Sequence, residues 1–196
     1  MARGGDLAAP PAAPLILAST SPRRRAILEQ LRIPFDVVAP AYEEADGDPV
    51  AHAVGKARSV AGVAGDRPVL GCDTEVVVDG RVYGKPAGPE DAEEMLESLS
   101  GRTHEVMSGL ALITPMWEEV RHEVTRVTFR GLTPRDLARY VATGEWEGRA
   151  GGYAIQGEGA ALVERIEGDY LNVVGLPTAL LVRLLAERFP GTYGFG

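Results

Sequence analysis

LILASTSPRRRAIL, running from Leu15 to Leu28, joins a strand, a polar turn and the start of a helix in one stretch. Leu15, Ile16, Leu17 and Ala18 form a continuous apolar run too short for a helix and bounded by turn formers, which predicts a buried strand. Ser21 suits an N-cap, and Pro22 suits the first helical position, where its missing N–H would be unpaired anyway. Arg23, Arg24 and Arg25 then place positive charge against the helix dipole, at a cost of about 0.3 kcal/mol or more each. Two readings fit. Ser19, Thr20, Ser21 and the arginines could cradle a polyphosphate at the helix N-terminus, or the stretch is an ordinary capped helix with a solvated basic face.

Further strands and helices follow on either side of turn signals, so the chain reads as α/β. Phe35 to Val38 is a short strand, leading through Pro40 into the acidic turn Tyr42, Glu43, Glu44, Ala45, Asp46. Pro49 to Ala64 reads as a helix of small residues suited to close packing. Pro68 to Gly71 begins a second buried strand that delivers Asp73 and Thr74 and continues to Asp79, where Asp79-Gly80 signals a hairpin to Arg81-Val82-Tyr83. Pro89 to Leu99 is a helix with an acidic front. Glu105 to Ile113 and Glu118 to Phe129 are strands that look like antiparallel neighbours. Arg135 to Ala142 is a helix, Ala161 to Ile166 a strand, and a last helix carries Leu180, Leu181, Leu184 and Leu185 on one apolar face. Met1 to Pro14 reads as a flexible extension and residues 15–196 as one domain without repeats or linkers.

Composition narrows the function classes. A formal net charge of -8 argues against nucleic-acid and anionic-membrane partners, which need a net basic face. A local arginine cluster in an acidic chain instead suggests a small anion. Cys72 is the single cysteine, so no intramolecular disulfide forms, which suits a cytoplasmic location. No apolar run approaches the roughly 20 residues that span a bilayer.

Asp73 is the leading catalytic candidate, because an apolar strand carries its carboxylate to a place where a metal, a hydrogen bond or a partner charge must offset burial. Its plainer reading is a turn cap assisted by Thr74. Glu43 and Glu44 would supply a second carboxylate to a hard divalent cation, or simply be solvated surface. Lys56 and Lys85 offer point charges for phosphate, and solvated lysines would look the same. Gln156, between small residues, could read a base edge through its amide or stabilise a loop. His52, His104 and His122 have no metal-ligand spacing and read as structural or solvent-facing. No Walker loop, dinucleotide fingerprint or serine elbow is present.

Several segments in order resemble the Maf family of nucleoside triphosphate pyrophosphatases: LASTSPRRRAIL, the Glu43-Glu44 turn, Gly55-Lys56-Ala57, GCDTEVVVDGRVYGKP, LSGRTHEVMSGLAL, GGYAIQGEGAALVERIEGDY and NVVGLP. The resemblance implies an elongated mixed β-sheet with flanking helices and two lobes around a central cleft, related to the inosine triphosphate pyrophosphatases, and commonly a homodimer. It implies hydrolysis of a nucleoside triphosphate to the monophosphate and pyrophosphate with a divalent cation, Mg²⁺ or Mn²⁺. Carried over by motif, Asp73 is the proton acceptor, and Glu44 with Asp73 would hold the metal. Ser19, Arg24, Lys56 and Lys85 would contact the triphosphate. Arg23, Thr74 and Gln156 resemble the branch acting on dTTP and UTP, whereas the branch acting on 7-methyl-GTP tends to carry Trp, Gln and Glu there. The alternatives are that second branch and a nucleotide-binding regulator of cell division.

Overall fold

The computed structural model describes residues 13–44 and 48–196. Ala45 and Asp46 of the acidic turn, and residues 1–12 of the extension, lie outside the described residues.

β1 (Leu15–Ala18) is buried at every position and lies between β2 (Phe35–Val38) and β3 (Val69–Val78), parallel to both. Parallel neighbours need crossovers, supplied by α1 (Pro22–Gln30) and α2 (Pro49–Ala64). β4 (Arg81–Tyr83) folds back on β3 through the turn at Asp79-Gly80, where both residues have positive φ, as a two-residue hairpin turn requires. α3 (Pro89–Leu99) then leads into β5 (Thr103–Ile113) and β6 (Glu118–Phe129), which pair antiparallel along their length. α4 (Pro134–Val141) begins at a capping box between Thr133 and Asp136. β7 (Val163–Glu167), α5 (Tyr170–Val174) and α6 (Thr178–Arg188) complete the chain. The seven strands form one mixed sheet in the order β2-β1-β3-β5-β6-β7, with β4 beside β3.

The elements match the sequence reading except where short structure competes with pattern. β7 starts at Val163 rather than Ala161, because Gly157 to Leu162 winds into 3₁₀ turns first. α5 was not anticipated. Its five residues carry no periodicity, and it is held by its cap Asp169 and by Asn172, whose buried amide donates to the Val106 carbonyl and the Thr125 hydroxyl.

The sheet divides two apolar cores. On one face Leu15, Leu17, Leu70, Cys72 and Val76 pack with α1, α3 and α6, and on the other Ile16, Ala18 and Val69 pack with Ala53, Ala57 and Val60 of α2. The small residues of α2 allow an unusually close approach. A Cβ at Gly71 would lie 2.1 Å from the Ala53 carbonyl oxygen, and one at Gly109 would lie 2.3 Å from that of Pro49. Gly71→Ala should therefore lower stability by about 1–3 kcal/mol through overpacking. Gly62→Ala should raise it by about 0.5–1 kcal/mol, because that helical glycine has nothing within 4 Å of its missing Cβ. Thermal melts of the two variants moving in the same direction would contradict this packing.

Candidate active site

β3 outruns β1. Their register pairs Leu17 with Leu70, so β1 stops where β3 continues, and the turn Ser19-Thr20-Ser21 runs alongside Cys72, Asp73 and Thr74. Ligands of open α/β sheets sit beyond such strand ends. Side chains alternate along a strand and recur every four residues along a helix. Gly71, Asp73 and Glu75 therefore share the face of β3 on which α2 lies, and His52 and Lys56 share the face of α2 that meets it.

Lys56 joins two carboxylates. Its Nζ lies 2.6 Å from Asp73 Oδ1 and 2.5 Å from Glu44 Oε1. Lys56 and Asp73 are buried, at 7% and 8% exposure, whereas Glu44 is exposed. The hydrogen bond from Lys56 holds the Glu44 carboxyl below its ordinary range. Burial, reinforced by the neighbouring Asp73 charge, pushes the Glu75 carboxyl up.

His52 sits beside this pair. It is buried, its Nδ1 lies 3.2 Å from the Tyr42 hydroxyl, and donor atoms of His52, Asp73 and Glu75 all lie within 4.8 Å of one another. The signal was its offset of four from Lys56, which has meaning only once α2 is known to lie on β3. His104 is buried and structural, bonded through Nε2 to the Tyr153 hydroxyl at 2.8 Å, and burial pushes its imidazole down to about 4. His122 is exposed.

The opening helix supplies the next wall. Ser21 caps it by accepting from the Arg24 N–H, and the Ser21 N–H donates to Ser19 Oγ. The buried Arg24 guanidinium donates to the Gly175 carbonyl at 2.8 Å, to Ser19 Oγ at 3.3 Å and to Thr74 Oγ1 at 3.4 Å. It thus ties α1, β3 and the segment after α5 together. Arg23 is half-buried and, among the described residues, donates only to the Gly148 carbonyl, at 3.4 Å. Burial, with Arg149 and Arg24 nearby, lowers its pKa to about 10. Arg25 is exposed.

The facing wall is the glycine-rich turn after α4. The Gly151 N–H donates to the Gly84 carbonyl, which brings the turn against the segment carrying Lys85. Glu145 accepts from the N–H groups of Glu158 and Gly159, and Gly157, next to Gln156, takes a positive φ of 69° that favours glycine. Arg149 is the residue that sequence reasoning missed. Among the described residues its Nε is buried without a hydrogen-bond partner, and burial lowers its pKa.

These walls enclose a cleft of about 570 Å³, lined by Ser19, Arg23, Arg24, Glu44, Lys56, Asp73, Thr74, Lys85 and Gln156 and by Arg149, whereas Glu43 and Arg25 do not line it. Among the described residues Arg23, Arg24, Lys85 and Arg149 take part in no ion pair, although arginines elsewhere are paired repeatedly. Cations left unneutralised in a concave, half-buried wall are arranged for an anionic ligand. The fold and site together define an α/β protein with a cleft for a small polyanion above a buried carboxylate.

Comparison with known proteins agrees with that class. The family model described as Maf-like protein matches residues 14–188. A dTTP/UTP pyrophosphatase of Gloeobacter violaceus is 50% identical over 181 residues, covering 88% of this chain and 95% of the relative. Proteins of the same name from Moorella thermoacetica and Bacillus mycoides are 50% and 45% identical, each over 88% of this chain and 93% and 94% of their own lengths. The chain belongs to the Maf-like family. Among the described residues, no helix is long and apolar enough to cross a membrane.

The unpartnered Nε makes a specific demand. Arg149→Ala should weaken binding of inorganic tripolyphosphate by roughly tenfold or more, the worth of a charge-assisted hydrogen bond to a buried group. Calorimetric titration showing unchanged affinity would remove Arg149 from the anion site.

Proposed function

We propose that this chain is a nucleoside triphosphate pyrophosphatase that hydrolyses dTTP and UTP to the monophosphate and pyrophosphate. The observation that carries the reading is Asp73, fixed by Lys56 in a cleft whose walls hold four cations without ion-pair partners among the described residues. The naming of the relatives as dTTP/UTP pyrophosphatases supports it.

In this reading the triphosphate lies along Arg23, Arg149 and Lys85, with Ser19 and the spare donors of Arg24 at its side. Lys56 holds Asp73 Oδ1. The Asp73 carboxylate takes a proton from a water aimed at the α phosphorus, and the water oxygen forms its new bond there. The bond between the α and β phosphates breaks, and pyrophosphate leaves with the charge that the arginines and Lys85 neutralise. Gln156, Arg23 and Thr74 serve substrate choice. The Gln156 amide pairs with the O4 and N3–H edge of a pyrimidine, for which a carboxylate would be a poor match.

The family resemblance implies a divalent cation, Mg²⁺ or Mn²⁺, and the residues present fit one. Glu44 and Asp73 each give an oxygen to Lys56, whereas His52, Asp73 and Glu75 converge with donors suited to such an ion. When bound, the cation supplies further neutralisation of phosphate charge. The same reading includes a cytoplasmic homodimer, on the strength of the resemblance and the lone buried Cys72, and light scattering of the purified chain tests the dimer.

Asp73→Asn should lower pyrophosphate release from dTTP by about 10²–10⁴-fold, the usual worth of a general base, while nucleotide binding is retained. A wild-type chain that binds dTTP and UTP without turning either over would instead favour a nucleotide-sensing regulator. Faster turnover of 7-methyl-GTP than of either pyrimidine would overturn the assigned substrates and leave the reaction intact.

A further inference from the structure

We propose that His52, Asp73 and Glu75 form a three-donor seat for a divalent cation of the manganese type, with the imidazole bound directly to the ion. The inference deepens the pyrophosphatase reading and rests on it for the reason a cation should sit beside this cleft. It begins from a geometrical coincidence. Two residues one turn apart on α2 and two residues on one face of β3 are pressed together by the glycine contacts at Gly71 and Gly109. Lys56 takes Asp73 Oδ1 and leaves Oδ2 without a partner among the described residues.

His52 is the second, independent observation. It is more than nine-tenths buried, yet among the described residues it makes one hydrogen bond, from Nδ1 to the Tyr42 hydroxyl, and no ion pair with either carboxylate. Its donor atom nonetheless lies within 4.8 Å of both. With no hydrogen bond or ion pair between His52 and either carboxylate among the described residues, the three donors stand near enough for small side-chain rotations to bring them onto one ion. Tyr42 also matches the role of an outer partner. In the tautomer whose Nδ1–H donates to that hydroxyl, Nε2 keeps the lone pair that a ligand needs. Tyr42 is itself wedged over α2, since a Cβ at Gly55 would clash with its ring.

The donor set chooses among metals. Mg²⁺ keeps to oxygen ligands and sheds water reluctantly, whereas imidazole beside carboxylates suits first-row transition ions. The free protein therefore binds Mn²⁺ more tightly than Mg²⁺, and the difference depends on His52.

The test is pulsed electron paramagnetic resonance of Mn²⁺ added to the nucleotide-free full chain, with affinity measured by titration. Wild type should show modulation from a directly bound ¹⁴N. His52→Gln should abolish that modulation and weaken Mn²⁺ by roughly tenfold or more. Glu75→Gln should weaken Mn²⁺ binding and keep the modulation, a combination that a merely structural role for His52 would not produce. Bound Mn²⁺ without ¹⁴N coupling, unchanged affinity in Glu75→Gln, or no saturable binding would each overturn the seat. Pyrophosphate release from dTTP, assayed on the same wild-type sample, separates the two readings. Turnover without nitrogen coupling defeats the seat alone, and nitrogen coupling without turnover defeats the pyrophosphatase reading alone.

Discussion

The ion pair between Lys56 and Asp73 is the constraint around which the rest of the site is arranged. Both groups are buried, and an isolated charge at either place would cost several kcal/mol. Asp73 is neutralised by Lys56, which Glu44 also contacts, and the meeting of helix and strand brings their backbones close together. The small residues of α2 and the glycines at 71 and 109 permit that contact. A larger side chain at either glycine would lift α2 and leave both charges stranded. The pair is thus poor as a source of stability, since an apolar replacement would pack as well, and it makes sense as the fixing of a carboxylate for chemistry.

Around this anchor the cleft divides its charges. The α2 side holds acids and the histidine. The walls from α1 and the turn at 148–151 hold arginines that, among the described residues, pair with no carboxylate. Arg24 spends three donors on Ser19, Thr74 and Gly175, so it braces the anion wall as much as it serves it. Arg23 and Arg149 are different, because each is partly desolvated and under-bonded. A polyanion would satisfy both, in line with the function proposed above.

Much of this was legible in the chain itself. The strand-turn-helix of LILASTSPRRRAIL, the prolines opening each of the first four helices and the Asp79-Gly80 hairpin are local signals, and the structure has elements at each of them. Asp73 was singled out because an apolar strand delivering a carboxylate demands an explanation, and the structure supplies one in Lys56. What remained hidden depended on contacts between distant segments. The place of His52 follows from which face of α2 meets β3. Arg149 sits in a glycine-rich connection with no periodicity, and its missing partner is visible only when the neighbouring atoms are known. The short helix α5 is held by Asn172 and Asp169 across the fold, beyond the reach of any local pattern.

The reaction itself is the most direct test of why Asp73 and the arginines share one cleft. Phosphorus-31 resonance of dTTP incubated with the purified chain and a divalent cation distinguishes the bonds that could break. The arrangement described here predicts dTMP and pyrophosphate as the first products. Accumulation of dTDP with inorganic phosphate, or an unchanged triphosphate signal, would contradict it.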